Sequence, residues 1–246
     1  MIYVVLPAYN EEDSIPTLLE RIDTAMKTFQ LPYQTLVVND GSKDRTVERV
    51  LALAEKLPIE LLDHVVNKGL GQAILTGLRR GSELARDEDL VVTMDADNTH
   101  DPMLINEMVK KISAGKDLVI ASRYEKGGQE IGLSWIRHIL SGGASFLLRL
   151  FFPIRGAKDY TCGYRAYTGR LLHRAFRIYG DDLVEERGFT CMAEILLKMR
   201  SLYANVGEVP LVLRYDLKVG ASKMKVVRTI LRYAVLMTQI RFRPSD

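Results

Sequence analysis

The 246-residue chain has little cysteine, no long apolar run and no large excess of charge. Its two cysteines, Cys162 and Cys191, have neither metal-site spacing nor the number that a disulfide framework needs, which indicates a reducing compartment. Because no run of about 18 apolar residues occurs, no membrane-spanning helix is predicted. Met1 leads directly into an apolar run, which leaves no room for a signal peptide. We therefore expect a cytoplasmic protein, at most peripheral on the cytoplasmic face of a membrane.

Charge of one sign is also scarce, since the net charge is only +3. This value gives no reason to expect a nucleic-acid partner. The charge is nevertheless uneven, because residues 214–246 contain eight Lys or Arg and two Asp, a net of +6. A basic segment of this kind favours an anionic partner such as phosphates or a membrane surface, although a solvated helix face has the same composition.

Two familiar nucleotide-binding motifs are missing. No Gly-x-Gly-x-x-Gly follows the first apolar run, and no Gly-Lys-Ser/Thr loop occurs anywhere in the chain. These absences disfavour dinucleotide-dependent oxidoreductases and P-loop NTPases.

The most informative segment of the chain is residues 90–102. An apolar run over 90–94 predicts a buried strand, and Asp95 and Asp97 follow at its carboxyl end. Asp101 and Pro102 then predict a helix N-cap followed by proline at the first helical position. Two adjacent carboxylates repel each other unless a cation lies between them, and Mg²⁺ typically binds one or two carboxylates plus substrate phosphates. The alternative is a loop with two capping acids.

The first half of the chain alternates strands with helices. Apolar runs at 2–6, 34–39, 59–66 and 90–94 are separated by amphipathic helical patterns, which predicts a mostly parallel, twisted sheet flanked by helices. Right-handed crossovers place the loops that follow these strands at one edge of the sheet. We therefore expect the loops to form a single site.

Side chains in these loops fit a nucleotide. Tyr9 offers a flat face for a base, and Glu11 and Asp40 offer acceptors for a base or a ribose. Lys68 offers a cation, next to glycines that let a ligand approach the backbone. The alternatives are that Asp40 caps its own turn and that Lys68 is solvated.

The loop sequences together resemble family 2 glycosyltransferases of the GT-A fold. The resemblance is carried, in order, by Val5-Leu6-Pro7-Ala8-Tyr9-Asn10-Glu11-Glu12, Val38-Asn39-Asp40-Gly41-Ser42-Lys43-Asp44, Asn67-Lys68-Gly69-Leu70-Gly71 and Asp95-Ala96-Asp97. It implies a nucleotide-sugar donor, a divalent metal at the Asp-x-Asp motif and inversion at the anomeric carbon.

Later motifs resemble the dolichol-phosphate mannose synthases within that family. They are Ser122-Arg123, Arg137-x-x-x-Ser141, Asp159-x-Thr161-x-Gly163-Tyr164-Arg165-Ala166 and Arg187-Gly188-Phe189. This resemblance implies a polyprenyl (dolichyl) phosphate acceptor, whose phosphate Arg137 and Ser141 would hold.

The two resemblances together assign the site residues. The implied donor-binding residues are Pro7, Tyr9, Glu11, Val38, Asp40, Lys68, Asp95, Ala96, Asp97, Arg123, Arg214, Lys218 and Lys223. Mg²⁺ or Mn²⁺ would be held by Asp97 and Asp95, with Thr99 standing where the synthases usually have glutamine. Asp95, Asp97 and Arg123 are the implied catalytic residues, and Arg123 would lie by the donor phosphates. Leu217 stands where the synthases have an arginine six residues before the Lys223 position, so Arg214 or Lys218 would replace it.

The second half of the chain indicates a membrane surface. Residues 131–158 are apolar and carry only basic charges, and a basic amphipathic helix is predicted at about 220–240, after a hairpin over 206–214. A core helix pair is the alternative for the first of these segments. We expect a single domain over 1–246, with a nucleotide-sugar-binding half at 1–125 and an acceptor and membrane-interface half at 126–246.

These expectations favour transfer of mannose from GDP-mannose to polyprenyl phosphate. The alternatives are a transferase that uses UDP-glucose or a UDP-N-acetylhexosamine, acting on polyprenyl phosphate or on a cell-surface glycan, and a non-catalytic membrane-associated binding module. A sugar-hydroxyl acceptor would require a general base, for which Asp95, Glu186 and Glu194 are the candidates.

Overall fold

The structure, a computed structural model, describes residues 1–132, 143, 145, 147–217, 232 and 233. The strands of this part are β1 Ile2–Ala8, β2 Tyr33–Asp40, β3 Ile59–His64, β4 Leu90–Thr93, β5 Leu118–Ser122, β6 Gln129–Ile131, β7 Arg165–Thr168, β8 Val206–Pro210 and β9 Val212–Arg214. The helices are α1 Ile15–Thr28, α2 Thr46–Ala54, α3 Leu70–Leu84, α4 Ile105–Ser113, α5 Gly169–Tyr179 and α6 Cys191–Ser201. Short 3-10 turns lie at Pro102–Leu104, Gly180–Leu183 and Tyr215–Leu217.

Seven of the described strands form one mixed sheet in the order β3-β2-β1-β4-β7-β5-β8. β7 runs antiparallel to β4 and β5, and the other pairs in this sheet are parallel. The predicted strand and helix alternation and the mostly parallel sheet are confirmed. Because β1 pairs with β2 on one side and β4 on the other, the chain order reverses there, and such a switch point opens a crevice at the carboxyl ends of the strands.

The core lies where the sheet meets its helices. β1 and β4 are almost completely buried, as their continuous apolar sequences require in a central position. Helix α1 buries the predicted apolar stripe, which includes Ile15, Leu18 and Ile22. Helix α3 packs against β1, β2 and β4 and begins at the carboxyl edge of the sheet. The core therefore fixes the start of α3 beside the crevice.

Two predicted elements differ from the structure. β3 ends at His64, and Val65 and Val66 are 94% and 62% exposed, because β2 offers β3 no further partner beyond Asp40. The predicted hairpin over 206–214 is wrong. β8 pairs with β5 in the large sheet, whereas β9 pairs with β6 in a separate two-stranded sheet. Pro210 ends β8, and Leu211 then donates its N–H to the Ser122 carbonyl, which carries the chain from one sheet to the other.

The capping prediction at Asp101 is confirmed, since its carboxylate accepts a hydrogen bond from the N–H of Met103 with Pro102 at the first helical position. Ser14 stands at the N-cap of α1, but its side chain makes no capping hydrogen bond.

None of the described helices is long and apolar enough to cross a membrane.

Both cysteines are buried thiols, and burial raises the pKa of Cys162 to about 12. The predicted helix at about 220–240 and residues 133–142 lie outside the described part of the chain, apart from positions 232 and 233 of that helix.

His173 joins α5 to the end of α3. Its Nδ1 lies 2.9 Å from Asp87 Oδ1, and its Nε2 lies 3.0 and 3.1 Å from the carbonyl oxygens of Ser82 and Ala85. All three partners are acceptors, so they are satisfied together only by a ring that carries protons on both nitrogens. Burial opposes the charged ring, but the bonds to Asp87 and the two carbonyls outweigh it and raise the pKa of His173 above 6.5.

We expect His173→Gln to destabilise the protein in a pH-dependent way. Because the folded-state pKa is raised, the stabilisation by His173 is fully present below its unfolded pKa and is lost as the pH rises through the folded pKa. Urea unfolding at about pH 6 and about pH 9 should therefore show a larger loss of unfolding free energy at the lower pH. An equal loss at both values would contradict a charged ring.

Candidate active site

The carboxyl ends of β1, β2 and β4 lie side by side. Ala8 pairs with Asn39, and Val5 pairs with Thr93, so the residues that follow these strands share one edge of the sheet. The β1 loop is also tied to the β2 loop, because Ser42 Oγ accepts the N–H of Asn10 and Asn10 Oδ1 accepts the N–H of Lys43. The structure therefore brings together the loops that carry Tyr9, Asp40 and the Asp-x-Asp motif.

Asp97 is held in place by the residue two positions later. Its Oδ1 accepts hydrogen bonds from Thr99 Oγ1 at 2.7 Å and from the N–H of Thr99 at 3.2 Å. Asp97 is 7% exposed and Thr99 2% exposed. The Thr99 hydroxyl donates its proton to Asp97 and thereby orients the carboxylate, and its role as a metal ligand stays a prediction.

Asp95 is the more open of the two acids, with 42% of its side chain exposed. Its N–H donates to His100 Nδ1, and the buried His100 ring stacks on Tyr164 with the ring centroids 5.0 Å apart. A Cβ at Gly163 would lie 3.2 Å from Asp95 Oδ1, so glycine leaves room for this carboxylate. His100, which lies three residues after Asp97, was not among the residues predicted from the sequence.

The donor set fits a hard divalent cation. Among the described residues no group of three or more His, Cys, Asp or Glu side chains is placed to hold a metal. A cation here would instead bind the adjacent carboxylates of Asp97 and Asp95 and complete its shell with phosphate oxygens and water, which is the pattern that Mg²⁺ favours.

Arg123 is surrounded by acceptors from its own chain. Its Nε and Nη2 donate to the two oxygens of Asp159 at 2.7 and 2.8 Å, its Nη1 donates to Glu130 at 3.0 Å, and Nη2 also donates to Thr161 at 2.6 Å. Burial opposes the charge, but Asp159 outweighs it and raises the pKa of Arg123 well above its usual value. In this conformation Arg123 forms a buried ion-pair cluster. Asp159 and Thr161 belong to a motif noted in the sequence, but their pairing with Arg123 was not foreseen.

The other predicted donor residues divide into two groups. Pro7, Tyr9 and Glu11 are partly exposed at the crevice, and Lys68 is exposed. Val38, in contrast, has no exposed surface and packs towards α3, so its side chain belongs to the core and is not open to a ligand.

Asp40 and Ala96 are also buried, at 3% exposure each. The Asp40 carboxylate accepts hydrogen bonds from His64 and from the N–H groups of Lys68 and Gly69. It therefore shapes the loop that carries Lys68.

The remaining predicted residues lie further along the chain. Arg214 forms an exposed ion pair with Asp216 at 2.8 Å and donates its N–H to the Thr99 carbonyl, which places β9 beside the Asp-x-Asp motif. The other assigned residues lie outside the described part of the chain, and they are Arg137, Ser141, Lys218 and Lys223.

Comparison with known proteins identifies the group to which this site belongs. The family model described as Glycosyl transferase family 2 matches residues 3–177. The chain belongs to glycosyltransferase family 2. The match includes the β1 and β2 loops, the Asp-x-Asp motif and the Arg123–Asp159 cluster.

Two curated relatives in the family are similar to this chain over nine tenths or more of its length. A dolichol-phosphate mannosyltransferase of Pyrococcus furiosus is 35% identical over 231 residues, which cover 94% of this chain and 60% of that protein. A polyprenol monophosphomannose synthase of Mycolicibacterium smegmatis is 32% identical over 225 residues, which cover 90% of this chain and 80% of that protein. The chain thus spans only about three fifths of the Pyrococcus protein.

A solved structure confirms the predicted GT-A fold. Glucosyl-3-phosphoglycerate synthase from Mycobacterium tuberculosis, in complex with Mn²⁺, uridine diphosphate and phosphoglyceric acid, matches with a TM-score of 0.70 at 20% identity. The match covers 100% of this chain and 80% of that one. At this identity the likeness concerns the fold.

Two further acids of this family member, Glu186 and Glu194, are engaged in structural bonds. Glu194 accepts the N–H groups of Glu185 and Glu186 and pairs with Lys198 at 2.6 Å. Glu186 accepts from Thr190 Oγ1 at 2.6 Å and from Arg232 at 2.8 Å. These contacts count against both residues as general bases.

Proposed function

We propose that this chain transfers mannose from GDP-mannose to a polyprenyl (dolichyl) phosphate at a membrane surface, with Mg²⁺ or Mn²⁺ as cofactor. The observation that carries the proposal is the placement of Asp95 and Asp97 at the end of β4, beside the loops of β1 and β2. The relatives named as dolichol-phosphate and polyprenol-phosphate mannose enzymes support the sugar and the acceptor.

The reaction is a single displacement at the anomeric carbon. The bond from this carbon to the donor diphosphate breaks, a bond to an oxygen of the acceptor phosphate forms, and the configuration inverts. The nucleophile is already an anion at pH 7, because a phosphate monoester has a second pKa of about 6. No general base is therefore needed, which agrees with the structural engagement of Glu186 and Glu194.

The residues of the chain hold the reacting groups. Asp97, oriented by Thr99, and the more exposed Asp95 would bind the cation, which when bound neutralises charge on the leaving diphosphate. Tyr9 and Asp40 would bind the nucleoside, and Lys68 would approach the phosphates. Arg214, Lys218 and Lys223 remain proposed donor contacts, and Arg137 and Ser141 remain the proposed acceptor-phosphate contacts.

The described surface near residue 150 supports the proposed contact with a membrane. Leu150 and Phe151 are 62% and 54% exposed, and the neighbouring Arg149 and Arg155 are also exposed. Exposed apolar side chains next to basic ones are typical of a surface that lies in the interface of an anionic bilayer.

A product-partition assay tests this function. The protein is incubated with vesicles containing polyprenyl phosphate and with labelled GDP-mannose, UDP-glucose or UDP-N-acetylglucosamine, with Mn²⁺, with Mg²⁺ or with a chelator. We expect label from GDP-mannose in the organic extract, dependent on the metal. If label from a UDP-sugar appeared in the organic extract instead, that UDP-sugar would be the donor. Label confined to the aqueous phase would contradict a lipid acceptor.

A further inference from the structure

His64 is a buried residue that the proposed chemistry does not use. It ends β3 directly opposite Asp40, the last residue of β2, and the two are 7% and 3% exposed. His64 Nδ1 lies 2.9 Å from Asp40 Oδ1, and His64 Nε2 lies 3.0 Å from Thr76 Oγ1 on α3. The ring therefore links the ends of two strands to the helix that begins at the crevice.

Asp40 in turn holds the loop between β3 and α3. Its Oδ1 accepts the N–H of Lys68 at 2.8 Å, and its Oδ2 accepts the N–H of Gly69 at 2.9 Å. Gly69 is the N-cap of α3 and has no side chain that could cap it. Asp40 thus accepts the N–H groups of the N-cap residue and of the residue before it, which lie outside the set that an N-cap side chain usually binds. The position of Lys68 depends on the orientation of this carboxylate.

The opposite side of the loop is closed by backbone. Gly71 donates its N–H to the Arg187 carbonyl at 3.1 Å, and a Cβ at Gly71 would lie only 1.8 Å from the Glu186 carbonyl oxygen. The loop therefore cannot shift towards residues 186 and 187. On the Asp40 side the loop lies against Gly41, where a Cβ would be 2.5 Å from the Asn67 nitrogen.

A carboxylate oxygen accepts, so the bond between His64 and Asp40 places a proton on Nδ1, while the Thr76 hydroxyl bonds to Nε2. A carboxylate has about four acceptor positions, of which the described residues fill three. The fourth, on Oδ2, is left for an N–H or O–H of a nucleoside.

We propose that His64 is a positioning residue for the donor: by orienting Asp40, it places the Lys68 loop and the last acceptor position of Asp40 for a nucleoside diphosphate. This inference rests on the proposed function, because it assigns the crevice to a nucleotide-sugar donor.

Three substitutions separate positioning from simple packing. In His64→Asn, the amide nitrogen replaces Nδ1 and keeps a donor for Asp40. In His64→Gln, the amide nitrogen replaces Nε2 and keeps only the Thr76 contact. His64→Phe removes both contacts but fills the space. The control is His173→Gln, which alters a histidine on α5 that has no bond to the Lys68 loop.

Binding of GDP and UDP in the presence of Mn²⁺ is measured by calorimetry. We expect His64→Gln and His64→Phe to raise the Kd of the tighter-binding nucleotide about tenfold, as for loss of a charge-assisted hydrogen bond. The Kd of His64→Asn should stay within about threefold of the wild-type value. In turnover the loss should appear in KM for the donor, with kcat and KM for the acceptor nearly unchanged. Equal losses in the Asn and Gln variants, or none in any variant, would overturn the inference.

A second measurement needs no donor. Hydrogen–deuterium exchange of residues 65–71 in the unliganded protein should rise in the Gln and Phe variants and stay low in the Asn variant and in the His173→Gln control. Unchanged exchange in all variants would contradict the inference that His64 stabilises the position of this loop. A wild-type protein that binds neither nucleotide would instead overturn the proposed function and the donor role together.

Discussion

Replacing Asp97 with asparagine should lower kcat by at least about 100-fold while leaving the fold intact. The amide has the shape of the carboxylate and can still accept the hydrogen bonds from Thr99, so the loop keeps its geometry. What is lost is the negative charge that the proposed cation site at the end of β4 requires. The product-partition assay of the proposed function measures the effect, and added Mn²⁺ should restore little of the activity.

Two matched variants make this result specific. Asp101→Asn changes an acid four residues later that caps the 3-10 turn, so we expect a modest loss of stability and near-normal activity. Thr99→Val removes the 2.7 Å bond to Asp97 but keeps both acids, so its activity should fall between those of the wild type and Asp97→Asn. An Asp97→Asn protein with more than about a tenth of normal activity would contradict the role of the motif.

The mostly parallel character of the sheet was predictable because it depends on local patterns, namely continuous apolar runs at β1 and β4 that alternate with amphipathic helices. The antiparallel position of β7 between β4 and β5 was not predicted. Residues 206–214 were mispredicted as a hairpin because two short strands one residue apart give the same local signal. The partners of β8 and β9 are β5 and β6, which lie far away in the chain.

In the candidate site too, features set by local sequence were predictable and features set by contacts between distant segments were not. The positions of Asp95 and Asp97 followed from the strand before them. Gly69 and Gly71 were predicted to let a ligand approach the backbone, whereas in the structure the carbonyls of Arg187 and Glu186 lie against them. The partners of individual side chains did not follow, since they depend on contacts between distant segments. Arg123 lies against Asp159, 36 residues away, and Asp40 against His64 and the Lys68 loop. An arginine expected at the donor phosphates is consequently found in a buried ion pair.

This ion pair gives the largest expected effect on stability. Asp159 has no exposed surface and accepts two bonds from the Arg123 guanidinium as well as the N–H groups of Thr161 and Cys162. Asp159→Asn removes the carboxylate that binds the buried guanidinium through two bonds and leaves Glu130, at 3.0 Å, as a remaining counter-charge, so we expect a loss of about 3 kcal/mol in unfolding free energy, measured with urea at about pH 7. Arg123→Gln should cost a similar amount. The double variant should lose clearly less than the sum, because each single change already breaks the two bonds between Arg123 and Asp159.

The same pair predicts a pH dependence with a definite sign. Burial alone would raise the pKa of Asp159, but the charge and hydrogen bonds of Arg123 outweigh it and lower the pKa below 3.8. The stabilisation is therefore fully present above the unfolded pKa and is lost as the pH falls through the lowered folded pKa. The difference between wild type and Asp159→Asn should be constant from about pH 7 to about pH 5 and should shrink only below the unfolded pKa. As a control, Lys27→Gln breaks an exposed pair with Asp23 and should cost less than about 0.5 kcal/mol. A cost for Asp159→Asn as small as that of this surface pair would mean that Arg123 does not depend on Asp159 for its charge compensation.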